Sequence, residues 1–136
     1  VLVQTFQPEH PVLQQVLQHN YSLLLAQQLK ERMQFHYPPF CRMIRLTFKN
    51  KNYQTVNAAA DWFTNVLKQL LSITVLGPMF PPVSRIRNLY HKEVLLKIEP
   101  NQSVAHTKKQ LFKIEQSFQS IASFRTVRVN IDVDPN

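Results

Sequence analysis

A single glycine, Gly77, stands among the 136 residues. That scarcity excludes the glycine-rich loops that cradle nucleotide phosphates and the Gly/Ser linkers that join mobile domains. A single cysteine, Cys41, excludes an internal disulfide and a cysteine-rich zinc site, and fits a reducing, cytoplasmic setting. No run of about 20 apolar residues offers a membrane span. The first residues lack a basic segment followed by a cleavable apolar stretch, so they do not read as a signal peptide. They also lack a starting Met and open as though in mid-strand, the texture of a piece cut from a longer chain. Acidic residues are scarce too: 8 Asp and Glu face 16 Lys and Arg, a net charge of +8. Lys30 and Arg32 balance Glu9 and Glu31 in residues 1–36, so residues 37–136 carry the whole excess. A basic domain behind a neutral segment points to a polyanionic partner, whether nucleic acid, anionic membrane or acidic peptide; plain solubility is the bland alternative.

What is present is enough for a packed fold. Hydrophobic residues make up 44 % of the chain, and nine prolines supply stiff turns. Residues 1–6 read as a short buried strand. Pro8 and Pro11 introduce a helix carrying Val12, Leu13, Val16 and Leu17, and residues 21–35 form a second, with Leu24, Leu25 and Leu29 on one stripe. His36-Tyr37-Pro38-Pro39-Phe40 ends it, because a residue before proline avoids the helical region. From Cys41 the period becomes two: Ile44, Leu46 and Phe48 alternate with Arg45, Thr47 and Lys49, a half-buried strand. A helix over 53–71 follows, with Ala59, Trp62, Phe63, Val66 and Leu70 on its apolar face. A short strand over 74–76 is closed by Gly77-Pro78, and residues 83–89 and 92–98 form an antiparallel pair with Tyr90 and His91 at its tip. A helix over 103–121 turns Val104, Leu111, Ile114 and Phe118 inward, and Val127, Val129, Ile131 and Val133 mark a last alternating strand.

Beyond residue 36 the order is strand, helix, strand, strand, helix, strand: an α+β, βαββαβ arrangement of the split βαβ, ferredoxin-like kind. Two amphipathic helices cover one face of a sheet and leave the other open. The open face is expected to carry Arg45, Lys49, Lys97, Arg128 and Asn130. These are not the aromatics on which RNA-recognition sheets stack bases, so that comparison fails.

Catalytic constellations are missing from the pattern. His10, His19, His36, His91 and His106 include no helical metal pair. Asp132 and Asp134 lie two apart, on one side of a strand, but have no third ligand near in sequence. Cys41 has no activating partner. The informative run is basic: Arg85, Arg87, Lys92, Lys97, Lys108, Lys109 and Lys113, opposed only by Glu93 and Glu99. Cations with a neighbouring ring, Tyr90, suit phosphates and a stacked base. Lys109 and Lys113, one turn apart on a polar helix face, also suit an acidic peptide.

Several motifs then align with one family. Residues 1–12, Leu29-Lys30-Glu31-Arg32 followed by Tyr37-Pro38-Pro39-Phe40 and Arg42, Val75-Leu76-Gly77-Pro78, the hairpin from Arg85-Ile86-Arg87 to Leu95-Leu96-Lys97, and Asp132-Val133-Asp134-Pro135 occur in order across the chain. Together they resemble the C-terminal part of the primosomal protein N′ family, the replication-restart DNA helicases PriA. The resemblance implies a parent that binds abandoned forks, unwinds DNA 3′ to 5′ with ATP and recruits other primosome proteins in the bacterial cytoplasm, at the nucleoid and not at a membrane. It implies that residues 1–36 are the tail end of the second helicase lobe and residues 37–136 a domain similar to ribosomal protein S10. ATP with magnesium, and zinc, are implied only for parts of the parent that this chain lacks; no cofactor is expected here. Where family hairpins often carry Gly and a further Arg, this chain has Asn88 and Leu89.

The reading that follows is a non-enzymatic DNA-binding and partner-docking module. Arg85, Arg87, Lys92, Lys97 and Tyr90 would hold forked or single-stranded DNA. Lys108, Lys109 and Lys113 would receive the acidic tail of the single-stranded DNA-binding protein. Its rivals are a purely structural domain buttressing the helicase core and, more remotely, a metal-dependent enzyme using Asp132 and Asp134.

Overall fold

The structure, a computed structural model, describes residues 1–135. Helices α1 (Pro11–Leu17) and α2 (Tyr21–Gln34) precede a sheet built from β1 (Arg42–Asn50), β2 (Thr74–Met79), β3 (Arg85–Ile86), β4 (Leu89–Ile98) and β5 (Arg128–Val133). Helix α3 (Tyr53–Leu70) joins β1 to β2, and α4 (Val104–Ser120), with a 3-10 turn at Ala122–Phe124, joins β4 to β5. The strand order is β2-β4-β1-β5, all pairs antiparallel, with β3 folded back on β4 as a hairpin. Strand β4 lies between β1 and β2, which are joined through α3. This is the split βαβ expected from the element order.

The helices begin where side chains can cap them. Asn20, Asn52 and Ser103 accept hydrogen bonds from the amides of Leu23, Thr55 and His106 at 3.1, 3.0 and 3.2 Å, satisfying donors the first turn leaves free. Alternation in the strands then sorts the side chains. Ile44, Leu46, Phe48, Val94, Leu96 and Ile98 are fully buried under α3 and α4. From α3 they meet Val56, Ala59, Ala60, Phe63 and Leu67, and from α4 Leu111, Ile114 and Phe118. Phe48, Phe63 and Phe118 contact one another edge to face at 5.3 to 6.2 Å. Burying each such ring stabilises the fold by about 1.5–3 kcal/mol.

Four expectations are corrected. Leu67, not Leu70, completes the apolar face of α3, and Leu70 is 57 % exposed. Strand β2 does not stop at Gly77-Pro78 but continues to Met79 through a register shift. Gly77 holds φ +100° there, and a Cβ would lie 2.9 Å from the Glu93 carbonyl oxygen, so no side chain fits without movement. The hairpin turns at Arg87-Asn88, not at Tyr90-His91. Both turn residues have positive φ, 49° and 65°, the two-residue turn whose twist matches antiparallel strands. Residues 1–6 form no strand, and their side chains are exposed: a strand needs a neighbour for its backbone groups, and none lies beside them.

Helices α1 and α2 pack mainly on each other, with the Gln15 amide donating to Gln27 at 2.7 Å, and α2 buries none of its residues. Their attachment to the sheet runs through residues 32–41. Arg32 donates to the Pro38 carbonyl at 3.0 Å, the Cys41 thiol to the His36 carbonyl at 2.9 Å, and His36 Nδ1 lies 3.0 Å from a Glu99 carboxylate oxygen. Burial pushes the Cys41 thiol above its ordinary pKa, so it behaves as a small inert hydrophobe.

Candidate nucleic-acid interface

The face away from α3 and α4 carries Arg45, Lys49, Lys97, Arg128 and Asn130, as the alternation predicts, but its two ends differ. At one end Lys97 is only 9 % exposed: its Nζ donates to the Phe35 carbonyl at 2.9 Å and lies 4.1 Å from the centre of the Tyr37 ring. The segment leaving α2 covers it, so the expectation of a free phosphate-binding cation at Lys97 is corrected. A hollow of about 790 Å³ lies at this end between α2 and the sheet. Glu31 and Asp134 offset Arg32 and Arg45 around it, leaving no net attraction for an anion.

Cations gather at the other end. Register places Lys49 opposite both His91 and Arg128. The hairpin tip brings Arg87 alongside, and the turn after β1 brings Lys51. Two adjoining hollows, of about 380 and 630 Å³, share Lys49, Arg87, Leu89 and Arg128. Lys51 and Thr126 line one and His91 and Asn130 the other, and among the described residues no carboxylate lines either. Buried Asn50 fixes the geometry. Its amide nitrogen donates to the carbonyl and the hydroxyl of Thr126, both at 3.1 Å, and its oxygen accepts from the Asn52 amide at 2.8 Å. The strand bearing Lys49, the turn bearing Lys51 and the start of the strand bearing Arg128 are thereby tied together. Burial, and next the Lys49 ammonium, push the His91 imidazole below its ordinary pKa, against the opposing effect of Glu93. Three permanent cations, Lys49, Arg87 and Arg128, line the hollow beside the ring. Convergent mobile cations without acids are what phosphate oxygens require.

The residues singled out from the sequence are dispersed. Arg87 joins the cluster. Arg85 points to the opposite side of the hairpin, its guanidinium 5.1 Å from the centre of the Tyr90 ring and bonded to Asn88. Tyr90 is half-buried against Tyr53, so it is not the open ring the sequence reading required. Lys92 is corrected more sharply. It lies on the helix-covered face opposite Phe48, 8 % exposed, with Nζ 2.7 Å from Asn57 Oδ1 and 3.4 Å from Asp61 Oδ1. Lys108, Lys109 and Lys113 are exposed on the outer face of α4, and Phe112 among them is 60 % exposed. Lys49, Lys51 and Arg128 were not among the expected DNA ligands, although Lys49 and Arg128 were placed on the open face. Asp132 and Asp134 do not form a pair. Strand β5 ends at Val133, and Asp134 turns with φ 53° to accept from Arg42 Nε at 3.0 Å and the Met43 amide at 3.3 Å. The Arg42 hydrogen bond holds the Asp134 carboxyl below its usual range. Among the described residues, no group of three or more His, Cys, Asp or Glu side chains could hold a metal, and no helix is long and apolar enough to cross a membrane.

Residues 33–136 match the family described as the primosomal protein N C-terminal domain. The chain belongs to this family. Members of the primosomal family similar to it include the replication restart protein PriA of Synechocystis, 33 % identical over 99 % of this chain and 16 % of the relative. That of Treponema pallidum is 31 % identical over 99 % and 20 %, and that of Bacillus subtilis 23 % identical over 99 % and 17 %. The chain thus spans about a sixth to a fifth of the length of these relatives. The primosomal resemblance first read from motifs is thereby established, for the C-terminal part.

Proposed function

We propose that this chain is the DNA-binding and partner-docking C-terminal module of a replication-restart primosomal helicase, acting in the bacterial cytoplasm at the nucleoid. The observation that carries the reading is the convergence of Lys49, Lys51, Arg87 and Arg128 around one acid-free hollow. These cations grip the phosphates of forked or single-stranded DNA and set its path without reading sequence. Lys108, Lys109 and Lys113, with Phe112 exposed among them, receive the acidic tail of the single-stranded DNA-binding protein, and other primosome proteins dock elsewhere on the module. In this reading ATP hydrolysis, and the magnesium and zinc that go with the helicase, belong to the rest of such a protein. The donor sets here suit neither: the one glycine lies inside a strand, and Asp134 is committed to Arg42. The structural rival draws support from a different feature, the exposed apolar side chains Leu17, Leu23, Leu25 and Met33 of α1 and α2, which fit a contact with a neighbouring lobe.

Titration of the 136-residue chain with a fork and with a single strand, over a series of salt concentrations, separates the two readings. Lys49→Ala combined with Arg128→Ala is expected to weaken both ligands alike. Each lost phosphate contact should lower the slope of log affinity against log salt by about 0.7 to 0.9. Unchanged affinity and slope would leave the buttress as the function.

A further inference from the structure

The hairpin that carries Arg87 toward the basic hollow has a second side. Arg85 and Tyr90 are register partners there, on the side of α3. Tyr90 meets Tyr53 edge to face, centroids 5.6 Å apart, and Tyr53 lies parallel to Phe80 at 5.3 Å with 8° between the planes. Phe80 and Tyr90 are half-buried, whereas Tyr53 keeps 48 % of its surface open. Of the three rings, Tyr53 is the one offered to solvent, and its neighbours already hold it in place. A flat ligand settling on it would order no further flexible side chain.

Two connections join this ring to the hollow. Lys51 lines the hollow, and Tyr53 follows it by two residues across the turn that Asn50 braces. Arg87 lines the hollow, and Arg85, two residues before it, flanks Tyr90. A strand leaving the hollow over Lys51 therefore leads toward Tyr53, with the Arg85 guanidinium on the neighbouring Tyr90 ring. Lys92 Nζ lies 5.3 Å from the centre of the Phe80 ring and offsets Asp61, the nearby carboxylate, at 3.4 Å, which leaves Arg85 as the unneutralised charge on this side of the hairpin. An acidic peptide would engage the cations and leave the ring idle. An unpaired base engages both, since every base has a π-face and its own phosphate.

We propose that Tyr53, backed by Phe80 and flanked by Tyr90, stacks on an unpaired base of a DNA strand whose phosphates occupy the neighbouring hollow. The proposal rests on the reading of that hollow as a phosphate site. It places the stacking ring at the edge of the helix-covered side, away from the open sheet face, where the described strand residues carry no Phe, Tyr or Trp pointing outward.

The test is an anisotropy titration of the 136-residue chain with two single-stranded oligodeoxynucleotides of equal length, one complete and one with abasic sites through its centre. Tyr53→Leu keeps apolar bulk against Phe80 but removes the π-face; Tyr53→Trp keeps both. The unaltered chain should prefer the complete strand by about 5- to 100-fold. Tyr53→Leu should lose that preference by weakening on the complete strand alone, with an unchanged salt slope because no phosphate contact is lost. Tyr53→Trp should retain the preference. Lys49→Ala with Arg128→Ala should weaken both strands equally and lower the slope. If Tyr53→Leu binds the complete strand as the unaltered chain does while the hollow variant is impaired, stacking is overturned and the phosphate site stands. An equal loss on both strands in a folded Tyr53→Leu also overturns stacking, assigning Tyr53 to shaping the turn. No DNA binding by the unaltered chain overturns both.

Discussion

Lys92 carries its charge inward. On a strand whose neighbouring core positions are Val94 and Leu96, its ammonium is removed from bulk water, and Asn57 and Asp61 on successive turns of α3 supply the acceptors that make this tolerable. Arg87, five positions earlier on the same hairpin, stands in solvent, and among the described residues no carboxylate lines the hollows it borders. Two cations of one basic run thus serve opposite ends: one fastens α3 to β4, the other is free for an anion. The distinction makes Lys92→Ala a discriminating substitution. It should lower unfolding stability by about 1–3 kcal/mol in a urea titration, because the charge-assisted hydrogen bond to the half-buried Asn57 is lost together with the packing of the lysine stem. DNA affinity and its salt slope should not change. Full stability combined with a weakened, less salt-dependent DNA complex would return Lys92 to the phosphate-binding role that its place in the sequence suggested.

The hairpin is the element on which the cation geometry depends, because its two-residue turn decides that Arg87 and Arg85 face opposite sides. Asn88 holds φ 65° and also accepts from Arg85. Asn88→Gly should keep the turn, with stability within about 0.5 kcal/mol, since glycine accepts positive φ freely. Asn88→Val should cost about 1–2 kcal/mol in the same urea titration, since a β-branched residue resists that conformation. Equal stability of the two variants would mean that the turn is not the one described. This turn was hidden in the sequence because Arg87-Asn88 lacks the glycine that usually announces it. The run from Val83 to Leu89 then reads as continuous strand, and the tip slides to Tyr90. Elements with stronger local signals were legible. Helices expected over 21–35, 53–71 and 103–121 lie at Tyr21–Gln34, Tyr53–Leu70 and Val104–Ser120, each opened by an Asn or Ser cap. The alternation of Ile44, Leu46 and Phe48 with Arg45, Thr47 and Lys49 gave both faces of β1. What alternation within one strand does not contain is which strand lies beside it. The meeting of Lys49 with Arg128 comes from β1 pairing β5, a contact between the two ends of the domain, so the cluster became visible only in three dimensions. Burial of Lys92 and covering of Lys97 escaped for a related reason: each depends on a segment, α3 or residues 35–37, whose docking no local pattern encodes.

How much of the chain the fold needs follows from where its buried side chains lie. Every buried hydrophobic of the core falls at Cys41 or later, and α2 buries nothing. The contacts that residues 1–36 make with the sheet are few: the Phe35 carbonyl accepting from Lys97, the His36 carbonyl accepting from Cys41, and the exposed His36–Glu99 pair. Exposed ion pairs stabilise by about 0–1 kcal/mol, and ordinary hydrogen bonds by about 0.5–1.5 kcal/mol each. Against a core holding Phe48, Phe63 and Phe118 at about 1.5–3 kcal/mol apiece, these losses are small. We therefore propose a boundary at residue 37 and expect residues 37–136 alone to unfold cooperatively, less stable than the whole chain by about 1–3 kcal/mol. Residues 1–36 alone should show no cooperative transition, because Leu17, Leu23, Leu25 and Met33 have nothing to pack against and two short helices are marginal in water. Thermal melts followed by circular dichroism, with urea titrations of both lengths, check this. The cut also leaves the Lys97 ammonium with the Tyr37 ring but without the Phe35 carbonyl, and it opens that end of the sheet face. If the basic hollow at the far end is the DNA site, the shortened chain should bind DNA with the affinity and salt slope of the whole. A flat melt for residues 37–136 would show that the N-terminal helices are part of the folding unit after all. A folded but DNA-silent one would move the nucleic-acid contact to residues 1–36, and the cations around Lys49 would lose their assignment.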